Sequence, residues 1–288
     1  MEFLTDWITD WLKELLIDGI LGNLSGLFDN VNAQIGEIAV TVGMTPGVFN
    51  PGVFALIRTL SETVVLPIAG LLLTFVATWE LIQIIIERNN LHEIDMWIFY
   101  KWVFKTAAAI LILSNTFNIV MGIFDVSQYV VNSASGIISG STDVTPDMMT
   151  ALREQLETMD VGPLLGLYLQ SFIVNIIVVA LNIVVFVIVI GRMIEIYLLT
   201  SLAPLPMAAL TSREMGGMGQ NYMRSLLAVG FQGLLIMVCV AIYAVLVQSI
   251  ATSGDPIGMI WTAIGYTILL CFTLLKTGNI SKNIFQAH

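Results

Sequence analysis

Long apolar runs separated by isolated charges recur along this chain. No residue from Val161 to Gly191 is charged, and Arg192 and Glu195 follow at once. Similar uncharged windows cover Val64 to Trp79, Thr106 to Phe124, Ile196 to Ser212, Ser225 to Gly254 and Pro256 to Leu275. A charge left unpaired in hydrocarbon is costly, and about 20 apolar residues in a helix cross it, so runs of this kind predict membrane spans. The pattern predicts an all-α polytopic membrane protein with five transmembrane helices over 63–86, 102–124, 162–192, 225–249 and 256–275.

The first residues carry a different pattern. Phe3, Leu4, Trp7, Ile8, Trp11, Leu12, Leu15 and Leu16 recur at three- and four-residue spacing, with Glu2, Asp6, Asp10 and Glu14 between them. That spacing puts the hydrophobes on one face of a helix over 1–22 and the acids on the other. The opening lacks the basic start and cleavage site of a signal peptide. Its polar face offers only Lys13 as a cation, so it can dock on neighbouring subunits as well as on lipid, although tryptophans suit the headgroup zone. A looser segment over 23–62 follows, with turn signals at Thr45-Pro46-Gly47 and Asn50-Pro51-Gly52. Pro67 and Gly70 are expected to bend the first span near its start.

Lysine and arginine set the expected orientation. Arg88, Lys101 and Lys105 surround the connection 87–101, Arg213 and Arg224 flank 213–224, and Lys276 and Lys282 lie in the tail 276–288. The positive-inside rule makes these regions cytoplasmic. The acidic connection 125–161, whose only cation is Arg153, and the loop 250–255 then lie outside, as does the N-terminus. One crossing between Asp160 and Arg213 satisfies this map, leaving 193–212 as a membrane segment broken at Pro204 and Pro206. Two prolines remove two amide donors, and irregular backbone at membrane depth needs protein or a water-filled cavity around it. A separate helix over 196–210, giving six crossings, is the alternative.

Composition adds limits. Of 288 residues 57% are hydrophobic and 11% charged, which leaves no length for a separate soluble enzyme domain. Cys239 and Cys271 sit in apolar runs without ligand spacing and read as reduced thiols. The histidines, His92 and His288, fall outside the predicted spans, and no nucleophile motif is present, so neither catalysis nor a cofactor other than lipid is expected. Intramembrane ion-pair candidates are Glu80 with Lys105 and Arg192 with Glu195, the latter on one helical face. Ion pairing within the bundle and lining of a conduit both fit these residues. Gly230 and Gly233 give a helix-packing cue, while Gly216-Gly217-Met218-Gly219 lacks the lysine and hydroxyl of a phosphate loop.

The segments Thr200 to Leu210, Arg213-Glu214-Met215, Gly219-Gln220-Asn221-Tyr222 and Phe231-Gln232-Gly233, together with the Met1 to Ile8 opening, carry a resemblance. The chain resembles the TrbL-like conjugal transfer proteins, the polytopic membrane component of type IV secretion systems, in the branch found in Gram-positive integrative elements. The resemblance implies five spans with the N-terminus outside and the C-terminus inside. It further implies a scaffold or channel subunit of the cytoplasmic membrane that forms rings, plausibly pentameric, and passes transiently bound, relaxase-linked single-stranded DNA. Implied partners are lipids, the secretion and coupling ATPases and small membrane subunits.

Two other classes compete. A secondary transporter would use a broken helix and buried charges at its substrate site, but no second broken segment marks a repeat. A holin-like pore-former would need no nucleic acid, and the net charge of −10 fits it, because acidic surfaces repel phosphate.

Overall fold

The computed structural model describes residues 2–87, 96–138, 146–250 and 256–287. Among the described residues there is no strand. The helices in chain order are α1 (Glu2–Val42), α2 (Pro46–Phe49), α3 (Pro51–Leu60), a π-helical turn (Ser61–Val65), α4 (Leu66–Glu87), α5 (Met96–Ser114), α6 (Thr116–Ile138), α7 (Pro146–Glu157), α8 (Val161–Leu202), α9 (Pro204–Ala209), α10 (Gly216–Ile250) and α11 (Pro256–Phe285). Five stretches are long and apolar enough to cross a membrane: Pro51–Ile86, Met96–Ser114, Val161–Leu202, Gly216–Val247 and Trp261–Phe285. The protein is an all-α, multi-pass membrane protein.

Local chemistry explains where these helices start and stop. Asn50 accepts a hydrogen bond from Val53 N at 3.0 Å and Pro51 occupies the first helical position, so the expected Asn50-Pro51-Gly52 turn is the start of α3. In the first span Leu66 N bonds to Ser61 O, five residues back, immediately before Pro67, which has no amide hydrogen to donate. The span thus passes its proline by widening one turn. Helix α5 ends at Ser114, within the expected second span over 102–124. Ser114 Oγ and Asn115 Nδ2 both donate to Leu111 O, at 3.2 and 3.0 Å, and Asn115 is left as a turn between α5 and α6. Side chains that bond nearby carbonyls compete with the helix ladder. Residues 125–138 of the expected outer connection continue α6, and 213–224 of the expected inner loop already contains the start of α10. The polar segment over 23–42 is helix as well, continuous with the amphipathic opening. The expected connections at 88–95, 139–145 and 251–255 lie outside the described residues.

Contacts divide the chain into two compact units: one of Met1–Val42, Asn132–Val189 and Ile236–Lys276, the other of Gly43–Val131, Ile190–Leu235 and Thr277–His288. In the first unit α1 packs on α7 and buries Leu16, Ile17, Ile20 and Leu24. Gly19 fits against the ring of Tyr168, and Asn23 Nδ2 donates to Ser171 Oγ at 3.0 Å. Tyr243 and Thr267 share a buried hydroxyl hydrogen bond of 2.8 Å. In the second unit a core of Val120, Phe124, Met193, Ile196, Met207, Leu226 and Val229 joins α6, α8, α9 and α10.

Candidate functional site

The second unit holds most of the residues singled out from sequence, and its central feature is the proline break. Helix α8 stops at Leu202 because Pro204 has no amide hydrogen, and Ala203 turns the chain, its N–H bonding to Thr200 O at 3.3 Å. Pro204 and Pro206 then fall in the first turn of α9, where amides have no intrahelical acceptor to lose. The short helix lies against α4 and α5, with Ala208 buried among Ala69, Leu73, Ala109 and Leu113. Between lipid-immersed helices apolar surface gives no hydrophobic drive, so close approach over small residues supplies the attraction instead. On its other side α9 meets the start of α10, where a Cβ on Gly219 would lie 2.7 Å from both Pro206 O and Leu210 Cα. The break is therefore a clamped elbow.

About three helical turns before the elbow on α8 sits a buried charge. Arg192 is 3% exposed; its Nε donates to Val229 O at 3.2 Å and its Nη2 to Gly230 O at 3.1 Å. These carbonyls belong to the middle of α10, whose surface is opened by the two glycines of the sequence cue. A Cβ on Gly233 would lie 2.8 Å from Arg192 Nη2, and one on Gly230 would lie 2.5 Å from Ser127 Oγ. What the glycines admit is a guanidinium from α8 and a hydroxyl from α6. A buried guanidinium keeps its charge only if its donors find acceptors, and spare carbonyl lone pairs provide them.

Glu195 binds Lys282 of α11 at 3.0 Å, an ion pair with side chains 40% and 44% exposed. The sequence reading directs Glu195 toward Arg192, one turn away; Lys282 lies 87 residues on. Ser281 Oγ donates to Ala228 O at 2.5 Å, Gln232 Nε2 donates to Thr277 Oγ1 at 3.3 Å, and the Phe231 and Phe285 rings are 5.5 Å apart. The end of α11 is thus seated along α10. Glu80 and Lys105 form the other expected contact, an ion pair between α4 and α5. Beside it Glu214 accepts from Trp79 Nε1 at 3.2 Å and from Gln83. Tyr197 was not singled out from sequence and Tyr222 entered only within the segment that carries the resemblance; their hydroxyls reach Pro46 O at 2.6 Å and Leu199 O at 2.8 Å. Gln128, also passed over, donates to Met44 O. For Tyr197 and Gln128 the only signal was polarity within apolar helices.

In the first unit the amphipathic face splits. Leu16 is buried and Leu12 partly so, while Trp7 is 62% exposed, Trp11 54%, and Ile8 and Leu15 are exposed as well. The side chains of Phe3 and Leu4 lie outside the described residues. Lys13 Nζ donates to Glu157 O at 3.0 Å and Arg153 bonds Asp18 at 2.5 Å, so the cations of this region hold α1 to α7.

Among the described residues no group of histidine, cysteine and carboxylate side chains is arranged to hold a metal, and Cys239 and Cys271 are free thiols. His92 and His288 lie outside the described residues. Residues 31–204 match the family described as TrbL/VirB6 plasmid conjugal transfer like protein, a match that runs from within α1 to the first proline of the elbow. Comparison with curated proteins and comparison with solved structures each return no match.

Proposed function

Because the chain belongs to the family of TrbL/VirB6 plasmid conjugal transfer-like proteins, we propose that it is a scaffold and channel subunit of a conjugative type IV secretion system. On this reading it forms a ring in the cytoplasmic membrane of a Gram-positive bacterium and helps relaxase-bound single-stranded DNA to cross. On the same reading energy comes from the partner ATPases that the family resemblance implies.

The clamped elbow is the observation that supports this reading. Pro204 to Ala209 is wedged between the α4–α5 pair and Gly219, and further back on α8 Arg192 and the Glu195–Lys282 pair tie that helix to α10 and α11. A substrate-gating helix must change its packing during each cycle, whereas this one is held on two sides. A fixed elbow suits a static mouth that passes an extended polymer. Positive-inside orientation puts Arg213, Arg224 and Lys282 in the cytoplasm, and the elbow with them. The acidic net charge suits a conduit, which has no need to retain its cargo.

The test is an in-frame deletion in the donor cell. Transfer of the element should be lost and should return with a copy supplied in trans. Unchanged transfer, or uptake of a small solute by liposomes carrying the purified protein, would replace this reading.

A further inference from the structure

Helix α1 and residues 161–189 of α8 belong to one unit. Gly19 meets Tyr168, and Asn23 bonds Ser171, 148 positions on, so the two helices run in the same direction. Carried along helices of equal rise, that register brings Asp29 level with Ile177 and Glu37 level with Val185, deep in the uncharged run from Val161 to Gly191. The packing persists over this length, because Leu24, Gln34, Ile35, Ile38 and Val42 keep one side of α1 buried.

At this depth the two helices present unlike surfaces. On α8 the exposed positions include Ile173, Ile176, Val179, Ile183, Phe186 and Val187, an aliphatic and aromatic face that suits acyl chains. On α1 they include Asp18, Gly22, Asp29, Ala33, Gly36 and Glu37, which helical spacing gathers on one side. Beyond Asp18 the single large hydrophobe exposed on α1, among the described residues, is Val40. Arg153 holds Asp18, but Asp29 accepts only from the Ser25 hydroxyl at 3.4 Å, and no cation pairs with Glu37 among the described residues. A Cβ on Gly22, Gly26 or Gly36 would meet nothing within 4 Å, so the face is open at these positions. Carboxylates without a cation are costly against hydrocarbon, and at membrane depth such residues face water or a bundle interior. We propose that this side of α1 lines a water-filled passage at membrane depth, enclosed when copies of the chain assemble. The inference rests on the ring reading and names the helix that faces its lumen, where acidic side chains repel phosphate and let a strand pass without lodging.

Cysteine scanning of the full-length protein in isolated membranes tests the proposal, with Cys239 and Cys271 replaced and a cationic, membrane-impermeant methanethiosulfonate reagent on both sides. Asp29→Cys, Ala33→Cys and Glu37→Cys should be modified to completion, while Val179→Cys, Ile183→Cys and Phe186→Cys at matching depth on α8 should stay unmodified. Gly36→Cys repeats the α1 arm should an acidic position prove necessary for folding, since its Cβ has open space. Absence of modification at every α1 position would overturn the proposal, as would equal modification of both helices, which would place the pair outside the bilayer. Disulfides between copies at Gly22→Cys or Gly26→Cys, with the other α1 cysteines unreactive, would also overturn it and give the face to a second copy. Modification on α1 alone, with transfer unchanged on deletion of the protein, would keep the passage and remove DNA as its cargo, so the two readings fail separately.

Discussion

Gly233 and Arg192 are matched in space: a Cβ on the glycine would lie 2.8 Å from the arginine Nη2 and 2.9 Å from its Cζ. The guanidinium is meanwhile held to Val229 O and Gly230 O, so it cannot retreat without giving up those acceptors. Gly233→Ala is therefore expected to destabilise the protein by about 1–3 kcal/mol, the usual range for overpacking a filled interior. Gly191→Ala makes the comparison, since nothing lies within 4 Å of a Cβ there and alanine favours helix. Thermal unfolding in detergent should show a lower midpoint for Gly233→Ala alone.

A second pair of glycines separates the elbow's clamp from general loosening of the α10 start. A Cβ on Gly219 meets the backbone at Pro206 O and Leu210 Cα, whereas one on Gly217 meets nothing within 4 Å. Backbone cannot swing aside as a side chain can. Gly219→Ala should raise proteolysis near the elbow and lower the unfolding midpoint, and Gly217→Ala should do neither.

The bilayer made five spans legible, because hydrocarbon demands long uncharged helices whatever else the chain does. The break at Pro204 and Pro206 was legible for the equally local reason that proline lacks an amide hydrogen. Span ends were harder to read. Lys101 and Lys105 marked an entrance at 102, yet both lie inside α5, where Lys105 meets Glu80 and Lys101 lies over Trp97. A paired or aromatic-shielded cation does not end a helix as a bare one does. Glu195 does act electrostatically on Arg192 one turn away, as expected, but Lys282 and the carbonyls of Val229 and Gly230 were not legible as further partners, since they come together with these residues only through tertiary packing. Glycine spacing announced a close approach without saying that side chains would fill it.

The exposed part of the amphipathic face predicts an assembly contact. Trp7 and Trp11 point away from the Leu16, Ile17 and Ile20 stripe that is buried in the same unit. Trp7→Asp with Trp11→Asp should convert the proposed ring to smaller species in mass photometry, while Lys13 and Arg153 still hold α1 to α7. An unchanged oligomer with weaker liposome binding would assign the tryptophans to lipid.

Orientation is open to cysteine labelling in a background with Cys239 and Cys271 replaced. Cysteines at Ser25 and Ser141 should react from outside, and those at Asn90, Gly217 and Asn283 from the cytoplasm, as the lysine and arginine distribution requires. Gly217 and Asn283 are exposed and can meet the reagent. Labelling of Gly217 from outside alone would contradict the five-crossing map.

The elbow's part in transfer is measured by transfer frequency from donors in which Pro204→Ala with Pro206→Ala replaces the wild-type copy, read alongside membrane insertion. Restoring two amide donors lets α8 continue through Ala203 and draws Ala208 out of its seat among Ala69 and Ala109. Normal insertion with transfer reduced at least about tenfold is the expected result. Wild-type transfer by a fully inserted double variant would contradict it.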